Sequence, residues 1–374
     1  MKVALDYTPA IDQVAGVGRY TRSLFDALQN GTSDEIAWHL WYAAEVDSDV
    51  RLPGGDSVSS SQLPISSRWL NMAWHRLGIP FPIDRYIDSP DVIHGTDFVV
   101  PPSSCPSVVT VHDLSYALMP QVAHPRLKRY LDRAVPRSID RARKVIAVSE
   151  TTKRDLCEFY EISPNRVEVI HHAADPIFQK PSASDVFAMQ AQLGLKRPYF
   201  ITVGTVEPRK DHLTLLRAFE SIHEDHPDVS LVIVGRTGWL ADEIVASINS
   251  ASERLPIRHL QGVGDNLLPA LYAGSLGLVY PSRYEGFGLP LLEAMASGTA
   301  VVASSTPAHR EVAGDAALYA PVEDAHALAS QMSLIATDEQ ARQQLIEAGT
   351  RRSASYSWAS AAEQHIAIYK GVAR

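Results

Sequence analysis

Short apolar segments alternate with longer amphipathic stretches along the whole chain. Several of the short segments are apolar on both faces, which is typical of strands buried in a parallel sheet. Strands that alternate with helical stretches indicate βαβ units, so the sequence predicts an α/β protein with doubly wound sheets. The predicted strands are Val3–Tyr7, Trp38–Tyr42, Val92–His94, Ser107–Val111, Val145–Val148, Val167–Ile170, Tyr199–Val203, Val229–Val234, Ile257–Gln261, Leu276–Tyr280, Ala300–Ala303 and Ala317–Tyr319.

The strands fall into two sets, separated near Asp175–Ser184. There the segment DPIFQKPSAS combines prolines with serines and has no apolar periodicity. A chain of 374 residues forms two domains more readily than one or three. We expect an N-terminal domain at residues 1–180, a second domain at 181–355, and a C-terminal helix at 356–374 from the amphipathic YSWASAAEQHIAIYKG.

Composition and charge exclude several classes of protein. A net charge of −9 argues against a protein that coats nucleic acid. Cys105 and Cys157 belong to no metal or redox motif, which suits a reducing compartment. The opening MKVALDYT has the pattern of a strand, so we expect no signal peptide, and no apolar run is long enough to span a membrane. We expect a cytoplasmic protein, or one that rests on the inner face of a membrane.

The segment Pro281–Gly298, PSRYEGFGLPLLEAMASG, combines a glycine loop with a helix start. Gly286 and Gly288 allow the backbone to approach a ligand closely, and Pro290 suits the first position of a helix. The amides of four residues should then point outward at the helix N-terminus, as in an anion site. These residues are Gly286, Phe287, Gly288 and Leu289.

Two carboxylates flank this anion site: Glu285 before it, and Glu293 in what we expect to be the first helical turn. Carboxylates are poor ligands for phosphate but good acceptors for the hydroxyls of a sugar or ribose. The alternative is a surface loop in which Glu293 is merely a favourable acidic residue near a helix start.

With both glutamates and both glycines, Pro281–Gly298 resembles the signature of the retaining glycosyltransferases of family 4 (group 1), which have the GT-B fold. The resemblance implies two Rossmann-like domains that face across a cleft. It also implies that the E-x7-E pair and its glycines bind a nucleotide-sugar donor, and that the tail helix returns to the first domain. Four motifs match in the expected order, so the resemblance covers nearly the whole chain.

In the N-terminal half, the loop Asp12–Tyr20 contains Gly16 and Gly18 in what we expect to be a flexible turn. Thr21 occupies the third glycine position, so the loop is not a dinucleotide fingerprint and could be a plain strand-to-helix turn. Similar enzymes carry a glycine-rich loop here that lies over the donor diphosphate.

His112 follows the predicted strand Ser107–Val111, where ligands bind in open α/β sheets. A structural histidine, with Asp113 as a helix cap, is the alternative. Similar transferases have a His-Asp pair at this position, whose histidine contacts the transferred sugar.

In the second half, a strand ends near Gly204 and a helix starts near Asp211, which we expect to be its cap. Arg209 and Lys210 immediately precede that helix, where cations oppose the helix dipole unless an anion is present. A pyrophosphate would supply that anion, and in similar enzymes this Arg and Lys stabilise it as the leaving group. The resemblance also places the nucleobase against the backbone around Val263.

Three further stretches have competing interpretations. The basic segment Pro125–Lys144, whose apolar face is interrupted by Pro136, is either a solvated face or a surface for anionic lipid. SRWLNMAWHRLG, with Arg68, Trp69, Trp74 and Arg76, suits acceptor recognition or core packing. Asp47-Ser48-Asp49 has the Asp-x-Asp pattern of a different transferase fold, but we interpret it as solvated surface and expect no metal site.

We therefore expect a metal-independent glycosyltransferase of surface polysaccharide or glycolipid assembly. It would move a hexose, with retention, from a nucleoside-diphosphate sugar to a glycan or lipid-linked acceptor hydroxyl. The segment 281–319 looks most like bacterial mannosyl- and rhamnosyl-type transferases, which favours GDP-mannose as donor and a UDP-hexose second, with no other cofactor. The alternatives are another GT-B enzyme, such as an epimerase or a phosphorylase, and a two-lobed solute-binding protein.

Overall fold

The protein, seen here in a computed structural model, is described at residues 1–13, 16–31, 35–43, 52–64, 74, 82–195 and 198–373. These residues form two compact units. The first comprises residues 1–120, 125–172 and 357–374, and the second comprises residues 121–124 and 173–356. Each unit holds one parallel sheet with helices between its strands, which confirms the predicted α/β class.

The first sheet has seven strands in the order β3-β2-β1-β4-β5-β6-β7, and every pair is parallel. They are β1 (Lys2–Asp6), β2 (Ala37–Tyr42), β3 (Val58–Gln62), β4 (Val92–Gly95), β5 (Ser107–Val111), β6 (Lys144–Ala147) and β7 (Val167–Val169). The helices that accompany them are α1 (Thr8–Asp12), α2 (Val17–Gly31), α3 (Ser115–Leu118), α4 (Pro125–Arg141) and α5 (Glu150–Tyr160).

The second sheet has six parallel strands in the order β10-β9-β8-β11-β12-β13. They are β8 (Tyr199–Val203), β9 (Ser230–Val234), β10 (Ile257–Leu260), β11 (Gly277–Tyr280), β12 (Val301–Ser304) and β13 (Leu318–Ala320). Its helices are α6 (Ala183–Leu193), α7 (His212–Asp225), α8 (Asp242–Ser252), α9 (Leu268–Ala273), α10 (Leu289–Ala296), α11 (Pro307–Ala313), α12 (Ala325–Thr337) and α13 (Glu339–Ser353). A last helix, α14 (Trp358–Val372), belongs to the first unit and packs on α2.

Both sheets have the strand order of the doubly wound nucleotide-binding fold, in which the first strand of the unit pairs with the second and the fourth. The order reverses at β1 and β4 in the first unit and at β8 and β11 in the second. Ligands of such sheets bind beyond the carboxyl ends of the strands at this reversal. The fold therefore directs attention to the segments that follow β8 and β11.

The twelve predicted strands are all present, with ends shifted by at most one residue. The strand that the sequence did not predict is β3, whose residues VSSSQ are mostly polar. It pairs with β2 at the edge of the sheet, where a polar strand can remain exposed to water.

One other expectation needs correction. The helix α4 continues through Pro136, which does not interrupt it, and Leu127 on its predicted apolar face is 40% exposed.

The two compact units divide between His172 and Ala173, and Phe178 packs edge-on against Tyr272 within the second unit. Over the described ranges, no helix is both long and apolar enough to cross a membrane.

A chain of buried hydrogen bonds attaches α14 to the first sheet. It involves two histidines, two tyrosines and a threonine, and it ends at a backbone carbonyl. The successive contacts are Tyr369 Oη to His94 Nδ1 (2.7 Å), His94 Nε2 to Thr110 Oγ1 (2.8 Å), Thr110 Oγ1 to Tyr20 Oη (3.0 Å), Tyr20 Oη to His365 Nε2 (3.4 Å), and His365 Nδ1 to Ala361 O (2.7 Å).

The backbone carbonyl at the end of this series of hydrogen bonds indicates which atoms donate. The Ala361 carbonyl can only accept, so Nδ1 of His365 carries the proton and its Nε2 must accept from Tyr20. The same logic makes His94 donate from Nε2 and accept at Nδ1. Burial lowers the pKa of both histidines, so both imidazoles are neutral, and each donates one of these hydrogen bonds and accepts the other.

We expect acid to destabilise the first unit through this chain. Burial lowers the pKa of His365 to about 4, below the ordinary 6.5. Between pH 6.5 and 4 the unfolded chain binds a proton that the folded protein excludes, so stability falls as the pH falls. For His365 alone, the free energy of unfolding should drop by about 2 kcal/mol between pH 7.5 and 5.0.

Urea denaturation at the two pH values measures this drop. His365→Gln should reduce the pH dependence by that amount. The control is His326→Gln, because His326 is exposed on α12. The interpretation is wrong if both variants retain the pH dependence of the unsubstituted protein.

Candidate active site

At the strand-order reversal of the second sheet, the segments after β8 and β11 bring four charged side chains together. The Glu285 carboxylate contacts both cations: its Oε2 lies 2.7 Å from an Arg209 guanidinium nitrogen, and its Oε1 lies 2.6 Å from Lys210 Nζ. The other Arg209 nitrogen donates to Glu207 Oε1 at 2.7 Å. Two cations and two carboxylates thus form one buried, neutral cluster.

Tyr280, the last residue of β11, completes this cluster. Its hydroxyl accepts a hydrogen bond from Lys210 Nζ and donates one to Glu285 Oε1 at 3.1 Å. Burial raises the pKa of Tyr280 well above its ordinary value, so the hydroxyl keeps its proton and remains a donor. Burial opposes ionisation of Glu285, but Arg209 and Lys210 outweigh it and lower the pKa of that carboxyl.

Two carboxylates of the chain, Glu207 and Glu285, supply anions beside Arg209 and Lys210. A bound pyrophosphate at these cations stays a prediction. Asp211 is the N-cap residue of α7, as expected, but its side chain makes no capping hydrogen bond. Asp211 adopts the left-handed conformation, with a φ of +53°, and its carboxylate lies 3.3 Å from Arg283.

The glycine loop leads into α10 by a left-handed turn at Gly288, with a φ of +115°. A Cβ atom there would lie 3.4 Å from the ring of His309, so an imidazole packs directly behind the loop. The helix begins at Leu289, which makes Pro290 its second residue and not its first. Phe287 is buried and packs edge-on against Tyr356.

Glu293 lies in the second turn of α10, contrary to the expected first turn. Its side chain is buried, and Oε2 accepts a hydrogen bond of 3.1 Å from the Tyr272 hydroxyl. The simple alternative, an exposed acidic residue at a helix start, is therefore wrong.

Two predicted site residues of this unit lie on loops at strand ends. Gly204 directly follows β8, and a Cβ at this position would lie 3.5 Å from Cε of Lys210. Val263 is half-buried in the loop after β10. The structure therefore brings Gly204, Arg209, Lys210 and Glu285 together.

The remaining candidates belong to the first unit. His112 directly follows β5, as expected, and its Nε2 donates to the Thr96 carbonyl at 2.8 Å. Its ring packs edge-on against Tyr20 at 4.8 Å between centroids. The carboxylate of Asp113 accepts from the Ser115 amide at 2.9 Å.

The glycines before α2 differ from the expected flexible turn. Gly16 adopts a φ of +61° just before the helix, whereas Gly18 lies inside it. A Cβ at Gly18 would lie 1.8 Å from the Gln13 carbonyl oxygen, so this glycine allows close backbone packing.

Several residues singled out in the sequence lie outside the described residues: Asp47, Ser48, Asp49, Arg68, Trp69 and Arg76. Among the described ones, no three His, Cys, Asp or Glu residues form a metal-binding group.

Family models match both halves of the chain. Residues 14–177 match the model described as glycosyltransferase family 4, and residues 185–352 match the model of glycosyl transferases group 1. The chain is 29% identical to O-antigen chain mannosyltransferase B of Escherichia coli, over 99% of this chain and 100% of that protein.

Solved structures show the same fold over the whole chain. Sucrose-phosphate synthase from Thermosynechococcus elongatus superposes with a TM-score of 0.77 at 20% identity, over 99% of this chain and 98% of the other. WaaG, a glycosyltransferase involved in lipopolysaccharide biosynthesis, superposes with a TM-score of 0.74 at 17% identity, over 99% and 100%. The chain belongs to the family 4 (group 1) glycosyltransferases. Its fold is GT-B, as the resemblance implied.

Three residues of this glycosyltransferase site were missed in the sequence. Glu207 is 2% exposed and pairs with Arg209. Its position two residues before Arg209 in the sequence could have indicated this pairing. Tyr280 was assigned only to a strand. His309 is fully buried, its Nδ1 donates to the Ser304 carbonyl at 2.8 Å, and burial lowers its pKa to about 4. Nothing in the sequence near His309 indicates that it lies behind Gly288.

We expect Gly288→Ala to damage both stability and ligand binding. An alanine would have to hold the left-handed conformation with its Cβ against His309, at a cost of about 1–3 kcal/mol in the free energy of unfolding. Urea denaturation measures this cost.

Gly371→Ala is the matched control, because no atom lies within 4 Å of a Cβ at that position in α14. It should leave stability unchanged or slightly raised. Equal stability of the two variants would contradict the cost that we assign to a Cβ in the left-handed turn at Gly288.

Proposed function

We propose that this glycosyltransferase moves mannose from GDP-mannose, with retention, to a glycan or lipid-linked acceptor in the assembly of a surface polysaccharide. The observation that carries the proposal is the cluster of Arg209, Lys210 and Glu285 beside the glycine loop. The similarity to an O-antigen mannosyltransferase favours mannose and a surface glycan. A UDP-hexose is the second candidate donor.

In the proposed reaction, Arg209, Lys210 and the amides of residues 286–289 bind the diphosphate. Fixed donors of this kind stabilise negative charge that develops on the leaving group as the glycosidic bond breaks. The acceptor hydroxyl attacks the anomeric carbon on the face that the diphosphate leaves, and a phosphate oxygen takes its proton. No metal ion is required in this scheme, because the cations and amides supply the positive charge.

The other candidate residues have separate proposed parts. Glu285 faces the transferred sugar, and His112 contacts the same sugar. Glu293 accepts from the ribose hydroxyls, and the backbone near Val263 meets the base. Gly16 and Gly204 give the backbone close access to the diphosphate.

A contact with anionic lipid through α4 stays a prediction. The solvent-facing side of this helix carries Arg126, Arg129, Arg133 and Arg137, together with the half-exposed Leu127. Arginines beside an apolar side chain suit the surface of a membrane that contains anionic lipids. Such a position would bring the enzyme to a lipid-linked acceptor.

Nucleotide binding without metal tests the proposal directly. GDP at a hundred times its dissociation constant should stabilise the protein by about 2.7 kcal/mol, and EDTA should not abolish the shift. Thermal-shift measurements with GDP, UDP and ADP, each with and without EDTA, report both properties. Binding that vanishes in EDTA and returns with magnesium or manganese would exclude the metal-independent scheme.

We expect the two glutamates to affect different kinetic constants. Charge develops at the anomeric centre only as the bond breaks, so Glu285→Ala should lower kcat by about 10²-fold or more. His112→Ala should act in the same way. A ribose contact is equal in the ground and transition states, so Glu293→Ala should raise KM with kcat little changed.

Steady-state kinetics on the three purified variants, with melting curves as the folding control, measure these effects. A large loss of kcat in Glu293→Ala, with kcat retained in Glu285→Ala, would reverse the two roles. Unchanged turnover in both variants would exclude the E-x7-E pair from the active site.

A further inference from the structure

Arg209 lies between two carboxylates that are held differently. Glu207 belongs to the same tight turn as Arg209, and it contacts the guanidinium through Oε1 at 2.7 Å. Glu285 comes from the glycine loop and contacts both Arg209 and Lys210, at 2.7 and 2.6 Å. Glu207 is therefore a local partner of one cation, whereas Glu285 bridges two cations from another segment.

The charge of this cluster matters for a diphosphate. The two cations and two carboxylates sum to zero, so the cluster as a whole does not attract an incoming anion. The same N–H groups that would bind phosphate oxygens already donate to Glu285. Carboxylate and phosphate oxygens accept from Arg and Lys in closely similar geometry. A diphosphate and the Glu285 carboxylate are thus alternative ligands of one pair of donors.

Burial indicates which carboxylate stays in place. Glu207 is 2% exposed, and its second oxygen has no hydrogen-bond partner within the described part of the chain. A charged group so enclosed cannot leave Arg209 without losing a counterion at 2.7 Å. Glu285 is 8% exposed on a loop, and it also accepts a hydrogen bond from the Tyr280 hydroxyl, so the cations are not its only partners.

We propose that Glu285 competes with the diphosphate for Arg209 and Lys210, while Glu207 is a positioning residue that holds Arg209 throughout. This inference rests on the proposed function and adds two parts to it. Donor binding releases Glu285 from the cations toward the sugar. After transfer, the return of Glu285 to the cations helps to expel the nucleoside diphosphate.

The experiment measures the affinity for GDP and UDP by isothermal titration calorimetry in the unsubstituted protein and three variants. Glu285→Gln removes the competing charge and should bind the nucleoside diphosphate about 10-fold tighter. Glu285→Asp keeps the charge but is one methylene too short to bridge both cations, so it should bind about 3-fold tighter. Glu207→Gln removes the same charge from the same guanidinium and should bind about 10-fold weaker.

A positioning role for Glu207 has its own signature. Glu207→Gln should raise the KM for the donor more than it lowers kcat, and Glu207→Asp should restore part of the affinity. Melting curves establish that each variant is folded, and Glu285→Asp carries the test if Glu285→Gln does not fold.

Three results would overturn the inference. Unchanged or weaker binding by Glu285→Gln would show that Glu285 does not compete. If Glu285→Gln does not fold, affinity of Glu285→Asp equal to that of the unsubstituted protein would likewise show that Glu285 does not compete. Equal tightening by Glu207→Gln would remove the distinction between the two carboxylates. If the unsubstituted protein binds neither GDP nor UDP, the proposed donors fail instead, which is a separate outcome.

Discussion

The pairing of β8 with both β9 and β11 is the constraint on which the site of the second unit depends. Because the strand order reverses there, the segments that follow β8 and β11 leave the sheet beside each other. One segment carries Arg209 and Lys210, and the other carries Glu285, although 75 residues separate Lys210 from Glu285. A parallel sheet brings such distant segments together without any local sequence signal. The sheet thus positions the chemistry, while the loops supply it.

The sequence predicted the strands of this arrangement better than the contacts between distant segments. Strand positions follow from local apolar patterns, and all twelve predicted strands are present. The motif residues at the strand ends were identified by the same local reasoning and by family resemblance. The polar strand β3 was missed, because its residues are stabilised by pairing with β2 and not by burial of apolar side chains.

Contacts between distant segments account for the remaining errors. A Cβ at Gly18 would lie 1.8 Å from the Gln13 carbonyl oxygen. This close approach exists only in the folded backbone, so the sequence did not indicate that Gly18 is a packing residue. Asp211 occupies the expected N-cap position, but its carboxylate contacts Arg283 and makes no capping hydrogen bond. The sequence near Arg209 and Lys210 indicated that these cations require an anion, but not that Glu207 and Glu285 are their counterions. Local patterns therefore locate a site, whereas its charge balance requires the tertiary structure.

The neutral cluster is expensive to bury, and this cost bears on its purpose. Removing charges from water opposes folding, and buried ion pairs are often replaceable by apolar residues without loss of stability. Four buried charges at the reversal of the sheet are therefore poorly explained by stability alone. They are well explained if the two cations serve to bind an anionic ligand. In the absence of that ligand, the two carboxylates neutralise the buried positive charge. On this view the glycine loop, with His309 packed behind Gly288, is held rigid so that the exchange of one anion for another needs only Glu285 to move.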